Sequence, residues 1–207
     1  MEKSQNSYFS FHDLWIIFFL PAFRPVIGIN RLINLKRKLS YSTLIFLMLG
    51  VAYTVSVQLA YSKGLGAKVQ PFIKIPADDY YYWQRFFQIP FFFITSVVFA
   101  GIARLLSAIL KGQGKFEDLF CLFCVAQTLP MILTMWIPET ILFIFFPDQS
   151  IHPLWLDAAR QILGMLWLMF IMVLGISIIE KIKWLYSVLV MVLSAIPVTA
   201  LMIIFIR

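Results

Sequence analysis

Charged residues are scarce in this sequence, and their scarcity excludes most classes of soluble protein. Only 13% of the 207 residues are Asp, Glu, Lys or Arg, whereas 61% are hydrophobic and the mean hydropathy is +0.88. Soluble domains carry roughly 25% charged residues. The two cysteines are too few for a disulfide framework, which excludes a small secreted disulfide scaffold. The composition indicates a polytopic membrane protein.

Five apolar runs are long enough to cross a membrane as helices. A helix needs about 20 apolar residues to span ~30 Å of hydrocarbon. The runs predict an all-α integral membrane protein whose transmembrane domain covers residues 41–207. The predicted spans are Ser42–Ala60, Ile89–Leu110, Leu119–Ile137, Ile162–Ile179 and Trp184–Ile206.

Residues 1–40 form a separate segment with a different pattern. Leu14–Leu20 is apolar but too short to span, and Pro21 follows it directly. Basic residues then alternate with apolar ones at helical spacing, which predicts an amphipathic helix in the membrane interface; a plain basic linker is the alternative. The residues expected to contact anionic lipid head groups are Arg24, Arg31, Lys36, Arg37 and Lys38.

The distribution of basic residues predicts the orientation in the membrane. With a cytoplasmic N-terminus, eleven Lys and Arg residues fall in inner segments and six in outer ones, namely Lys63, Lys68, Lys74, Arg85, Arg160 and Arg207. An excess of basic residues marks the cytoplasmic side, so we expect an external C-terminus. The basic residues form short clusters between spans instead of one solvated face, so nucleic-acid binding is not expected. A prokaryotic plasma membrane is the first expectation for localisation.

Two ionisable residues near the predicted spans are candidate functional residues, and each has two interpretations. Arg104 either extends along its helix to the cytoplasmic interface or faces the bundle interior, and its candidate partners on that side are Glu117, Asp118 and Glu180. Glu139 is either an interfacial carboxylate in contact with water or part of a water-filled cavity.

Cys121 and Cys124 lie on one face of a predicted helix among apolar neighbours. Packing is their expected role, because a metal site needs further ligands and a redox site needs a polar setting. No nucleophile–base set, phosphate-binding loop or metal-ligand quartet stands out. We therefore expect neither catalysis nor a bound cofactor or metal.

The link between the second and third predicted spans carries a more specific pattern. It reads KGQGKFEDL over Lys111–Leu119: a Gly-x-Gly-x-Phe turn between two apolar spans, the second of which contains a small residue and a proline. Glycines permit a tight turn, the aromatic ring anchors it in the interface, and the small residue permits close helix packing. The pattern residues are Gly112, Gly114, Phe116, Ala126 and Pro130, and the pattern resembles that of the Yip family, membrane proteins named for binding Ypt/Rab GTPases in eukaryotic secretory traffic and widespread in prokaryotes.

The resemblance implies a membrane-organising, trafficking or adaptor scaffold. The long cytoplasmic N-terminal region of the eukaryotic members has no counterpart here, so Rab binding is not expected and the chain is similar to the short prokaryotic members. The expected partners are anionic lipids, a second copy of the chain, or a membrane or cytoplasmic protein. A small transporter, channel or permease subunit that handles lipid or ions with a soluble partner is the alternative, although the polar residues within the spans are few for an ion path.

Overall fold

The structure is a computed structural model of a helical membrane protein. It describes residues 10–66, 72–73, 75–145 and 154–205, and these contain no strand. Several residues that the sequence analysis assigned to loops or to the end of the last span lie outside the described residues: Lys68, Lys74, Ile206 and Arg207.

Eight α-helices make up the described chain, and five helical segments are long and apolar enough to cross a membrane. This confirms the predicted number of spans and the all-α fold. The helices are α1 (Phe11–Phe23), α2 (Pro25–Asn34), α3 (Lys38–Ser62), α4 (Tyr80–Ile109), α5 (Phe116–Met131), α6 (Ile137–Phe145), α7 (Leu154–Glu180) and α8 (Trp184–Phe205).

Two spans begin well before the predicted residue: α4 starts at Tyr80 instead of Ile89, and α7 at Leu154 instead of Ile162. Each added segment contains an arginine, which lowers the apparent hydrophobicity of the sequence. The guanidinium of Arg85 donates a hydrogen bond to Gln58 Oε1 at 2.7 Å, and Arg160 forms an ion pair with Asp157. Both arginines thus have a partner within the bundle, as ionisable residues of membrane spans usually do.

The third span continues through the region around Pro138 without ending. A π-helical turn at Ile132–Trp136 joins α5 to α6, so one span runs over Phe116–Phe145. A proline has no N–H to give to the preceding turn, and a wider π turn accommodates the lost hydrogen bond. The apolar residues after Pro138 therefore extend the span to Phe145.

The segment before the first span forms a helical hairpin instead of one helix. The predicted amphipathic helix is α2, and the apolar helix α1 lies antiparallel to it. A Cβ on Gly28 would lie 2.4 Å from the backbone nitrogen of Pro21, so only glycine permits this approach. Arg31 closes the hairpin with an ion pair to Asp13 at 2.8 Å.

The hairpin packs along the bundle, with α1 against α5 and α2 against α7. The indole N–H of Trp167 donates a hydrogen bond to the Ala22 carbonyl at 3.1 Å. Trp167 lies thirteen residues before Glu180, which corresponds to about 20 Å along α7. The hairpin turn at Arg24 therefore lies about 20 Å along the bundle from Glu180, the last residue of α7.

Helix α5 is the centre of the bundle. Every residue from Leu119 to Pro130 is buried, and α5 contacts α1, α2, α3, α4 and α7. A helix that is apolar on all sides is stable only when it is surrounded. Of the other spans, α3, α4 and α7 pack on α5, and α8 packs on α4 and α7 at the outside of the bundle.

Candidate functional site

The turn between α4 and α5 is held by one carboxylate from the end of α7. Glu180 has a fully buried side chain, and its Oε2 accepts hydrogen bonds from the Gly114 backbone N–H at 2.8 Å and from Arg104 Nη1 at 3.1 Å. The Glu180 backbone carbonyl also accepts a hydrogen bond from the Gln113 N–H at 3.0 Å. We call these four residues, Arg104, Gln113, Gly114 and Glu180, the turn lock.

The structure selects between the two interpretations of Arg104. Its guanidinium turns inward to Glu180, and it donates a second hydrogen bond to the Gly112 carbonyl at 3.3 Å. Asp118, another candidate partner, instead accepts a hydrogen bond from Lys38 at 2.5 Å. Arg104 therefore connects α4, the turn and α7 instead of extending to the interface.

Gly112 and Gly114 are needed because a side chain at either position would collide with neighbouring atoms. The sequence had suggested a different reason, the conformational freedom that glycine gives to a tight turn. Neither glycine has a positive φ; the left-handed residue of the turn is Lys111, with φ 62°. The Gly112 N–H bonds to the Ser107 carbonyl and the Lys111 N–H to the Ala108 carbonyl, which is the Schellman arrangement. Glycine usually occupies the left-handed position of this arrangement, but here Lys111, one residue before Gly112, occupies it.

The space beside both glycines is occupied by the end of α7. A Cβ on Gly112 would lie 2.4 Å from Glu180 Oε2 and 2.9 Å from the Ser107 carbonyl oxygen. A Cβ on Gly114 would lie 2.7 Å from Ile179 Cγ2 and 2.8 Å from Glu180 Cδ. The spacing of the two glycines thus matches a close approach of the turn to Glu180.

The remaining motif residues lie along the start and middle of the third span. Phe116 is 43% exposed and its ring stacks near Phe120, whereas Ala126 and Pro130 are buried. The carbonyl of Pro130 accepts a hydrogen bond from the Thr134 hydroxyl at 2.9 Å. Cys121 and Cys124 have free thiols and are buried in the core around this helix.

The basic residues predicted to contact lipid divide into two groups. Arg31 and Lys38 are engaged with Asp13 and Asp118, respectively. The other three, Arg24, Lys36 and Arg37, are exposed. Arg24 lies at the far turn of the α1–α2 hairpin, whereas Lys36 and Arg37 lie in the link that leads into α3.

A second polar cluster surrounds a cavity of about 310 Å³ in the opposite half of the bundle. All five spans contribute to its wall, and Glu139 is one of the lining residues. The cavity's largest polar and ionisable lining residues are Tyr53, Tyr81, Gln84, Gln88, Glu139, Arg160 and Gln161. The cavity interpretation of Glu139 therefore agrees with its position in the structure.

Several polar atoms of this lining are buried and have no hydrogen-bond partner among the described residues. They are Tyr53 Oη, Gln84 Oε1, and the Nε and Nη1 atoms of Arg160. A buried polar atom without a partner costs about 1–3 kcal/mol. Most buried polar groups in folded proteins are satisfied, so four such atoms around one cavity mark it as a candidate binding site.

Neither Arg160 nor Gln84 was predicted to be a site residue. Arg160 follows Asp157 by three residues, a spacing that pairs side chains on one helix face. Gln84 and Gln88 are four residues apart and joined by a hydrogen bond of 2.8 Å. Both spacings were visible in the sequence, but they fall in helical turns that lie before the predicted spans.

Comparison with known proteins gives a match over nearly the whole chain. The family model of the Yip1 domain matches residues 20–206. The chain belongs to the Yip1-domain family. No curated protein and no solved structure matches it significantly. The Yip1 domain includes α2, all five spans and the turn lock, so the family resemblance found in the turn between α4 and α5 is confirmed.

Proposed function

We propose that this Yip1-domain protein is a membrane-organising or adaptor scaffold that binds a protein partner at one end of its bundle. The observation that carries the proposal is an exposed basic surface made by the α4–α5 and α7–α8 turns. We call it the basic end; its exposed residues are Lys111, Lys115, Phe116, Lys181, Lys183 and Trp184.

The turn lock supports this role because it joins the two turns into one unit. Gln113 and Gly114 of the first turn are hydrogen-bonded to Glu180, the last residue before the second turn. A surface held in one conformation loses little conformational entropy when a partner binds. The exposed aromatic rings of Phe116 and Trp184 add residue types that are enriched in interface cores.

We propose that the basic end faces the cytoplasm of a prokaryotic plasma membrane. Basic residues accumulate on the cytoplasmic side of membrane proteins. At the other end, the described cations have partners within the bundle: Lys63 Nζ donates to the Phe143 carbonyl at 2.7 Å, Arg85 bonds Gln58, and Arg160 pairs with Asp157. The exposed lysines thus favour a cytoplasmic basic end, and they place the Phe205 end of α8 on the external side.

Charge reversal at the α4–α5 turn is expected to remove the partner. We expect a stoichiometric protein to co-purify with the tagged wild type from native membranes in mild detergent, and to be lost from a Lys111→Glu/Lys115→Glu variant. Quantitative mass spectrometry of the purified complexes measures this. The matched control is Lys36→Glu/Arg37→Glu, which reverses two exposed charges outside the two turns and should retain the partner. Equal recovery with all three proteins, or no enriched protein with the wild type, would refute the adaptor role.

We also propose that Lys36 and Arg37 hold anionic lipid. Each basic residue near an anionic surface contributes about 1 kcal/mol, so replacing either with Gln should weaken lipid retention about fivefold. The measurement is the ratio of phosphatidylglycerol to phosphatidylcholine that remains bound after purification from mixed-lipid membranes. Lys38→Gln is the control, because Lys38 pairs with Asp118 and should mainly affect stability. Unchanged lipid ratios in the Lys36 and Arg37 variants would contradict the assignment.

A further inference from the structure

We propose that the cavity between the five spans binds the head group of a zwitterionic phospholipid, with the phosphate at Arg160 and the ammonium group near Glu139. This inference does not depend on the scaffold role, because the cavity lies in the half of the bundle away from the basic end. The residues that carry it are Tyr53, Gln84, Glu139 and Arg160.

The position of the cavity along the bundle matches the depth of lipid head groups. Gln84 and Gln88 lie in the first turns of α4, directly after the aromatic run Tyr80–Trp83. Such aromatic runs favour the head-group layer of a bilayer. Arg160 lies in the second turn of α7, at the same end. The polar wall therefore begins at the membrane interface and extends inward from it.

The unpartnered atoms of the wall call for a ligand that both accepts and donates hydrogen bonds. Arg160 Nε and Nη1 and the Tyr53 hydroxyl are donors, and a phosphate offers several acceptor oxygens to them. Gln84 is a buried residue, 6% exposed, and its Oε1 is an acceptor without a partner among the described residues. An ammonium group supplies the donor that this oxygen lacks.

The charges of the lining favour a zwitterion over a simple anion. The wall carries one guanidinium, Arg160, and one carboxylate, Glu139, and Arg160 is also paired with Asp157. A purely anionic ligand would place its charge near both carboxylates, and like charges repel in a site of low dielectric constant. A ligand with both a phosphate and an ammonium group can place its negative charge near Arg160 and its positive charge near Glu139.

The rest of the wall suits the apolar part of a lipid. Met131, Met135 and Met202 line the cavity together with Phe92 and Phe143. Methionine side chains are flexible and polarisable and adapt to irregular apolar ligands. A lipid thus finds polar contacts for its head group and apolar contacts for its glycerol and acyl segments in one cavity.

The packing towards the basic end indicates a binding site and not a passage. Phe99 on α4 stacks on Phe123 of α5 with ring centroids 4.7 Å apart, and Leu122 and Met172 are fully buried in the same core. Protein interiors packed in this way leave no room for a permeating molecule. The cavity therefore holds a ligand at one side of the bundle.

Binding of short-chain phosphatidylethanolamine to the purified full-length protein tests the inference. We expect titration followed by native mass spectrometry to show saturable binding to wild type, and Arg160→Gln to weaken it at least about tenfold. The matched control is Arg85→Gln, an arginine at the same end that stacks on Tyr82 and does not line the cavity; it should bind as wild type does. Absence of binding to wild type, or an equal loss in both variants, would overturn the proposal.

Tyr53→Phe separates a binding role from a structural one. The hydroxyl has no partner among the described residues, and the ring contact with Phe92 remains in the variant. We expect about threefold to tenfold weaker lipid binding with an unchanged or higher melting temperature of the lipid-free protein. Loss of binding accompanied by a lower melting temperature would show a structural role instead and argue against the assigned contact.

The choice of ligands distinguishes the lipid from its parts. Phosphatidylglycerol, inorganic phosphate and glycerophosphoethanolamine should each bind at least about tenfold more weakly than phosphatidylethanolamine. Equal binding of phosphatidylglycerol would exclude recognition of the ammonium group. Equal binding of inorganic phosphate or of glycerophosphoethanolamine would identify a site for a soluble anion or head group and overturn the lipid assignment. Gln84→Leu should reduce the preference for phosphatidylethanolamine over phosphatidylglycerol.

Discussion

Replacing Glu180 with Ala is expected to destabilise the protein by about 3 kcal/mol. The change leaves the Arg104 guanidinium without its ionic partner and the Gly114 N–H without its acceptor, while the surrounding core excludes water from this side chain. For a chain of this length we expect a fall of about 6–12 °C in the melting temperature measured in detergent. Glu180→Gln keeps a side-chain oxygen that can accept the hydrogen bond from the Gly114 N–H, so it should destabilise the protein less than Glu180→Ala.

Glu117→Ala is the matched control for this prediction. Glu117 is an exposed carboxylate in the first turn of helix α5, so its loss should cost less than about 1 kcal/mol. Replacing Arg104 and Glu180 together with Leu should cost less than the sum of the single Leu variants, because no unpaired charge remains. Additive losses would show that Arg104 and Glu180 are not energetically coupled, and equal melting temperatures for Glu180→Ala and wild type would show that the turn lock contributes little to stability.

Replacing Gly112 or Gly114 with Ala is expected to destabilise the α4–α5 turn by about 1–3 kcal/mol each. The added methyl group would meet the Glu180 carboxylate at 2.4 Å in the first variant and Ile179 Cγ2 at 2.7 Å in the second. The turn must then move away from α7, which lengthens the hydrogen bond from Gly114 to Glu180. Melting temperatures in detergent, and the fraction that elutes as a single species, measure the effect.

Gly101→Ala is the control, since a Cβ at that position would meet no atom within 4 Å apart from the neighbouring backbone of its own helix. Alanine is also the better helix former, so Gly101→Ala should be neutral or stabilising. The Gly112→Ala penalty should shrink in a Glu180→Ala background, where the obstructing carboxylate is absent. Equal effects at Gly101 and Gly112 would indicate that the motif glycines are not selected by contact with α7.

The number of spans could be predicted from sequence, whereas two of their starting points could not. Apolar runs define where a helix is able to cross lipid, but the first turns of α4 and α7 contain Arg85 and Arg160. Arg85 has its partner, Gln58, on a different helix, and a pattern along one segment does not reveal such a partner. Arg160 pairs with Asp157 on its own helix, but these two charged residues lower the apparent hydrophobicity of the segment in which α7 begins.

For the N-terminal hairpin too, the helices were predictable from sequence but their packing was not. The basic and apolar spacing of α2 predicted an amphipathic helix correctly, and Leu14–Leu20 was correctly judged too short to span. The antiparallel packing of α1 on α2 depends on the contact of Gly28 with the backbone at Pro21. Nothing in the local pattern indicated that these two short helices would pack on each other and along α5 and α7.

The candidate site was also only partly predictable. The sequence pointed to the glycine turn and to Arg104 with three possible acidic partners, and the structure assigned Glu180 to Arg104 and Asp118 to Lys38. It placed Glu139 on a cavity wall together with Tyr53, Gln84 and Arg160, which come from three other spans. Cavities arise between helices, so their lining has no signature along the chain.

By itself, the sequence determined the class of this protein: a five-span helical membrane protein whose turn motif places it with the Yip family. Hydrophobic length and helical periodicity are local properties, and the bilayer requires each span to satisfy its own backbone hydrogen bonds. Only the tertiary structure decided which charges pair, why Gly112 and Gly114 must lack a side chain, and where polar atoms surround a cavity. These outcomes depend on contacts between residues far apart in the chain, such as Gly114 with Glu180.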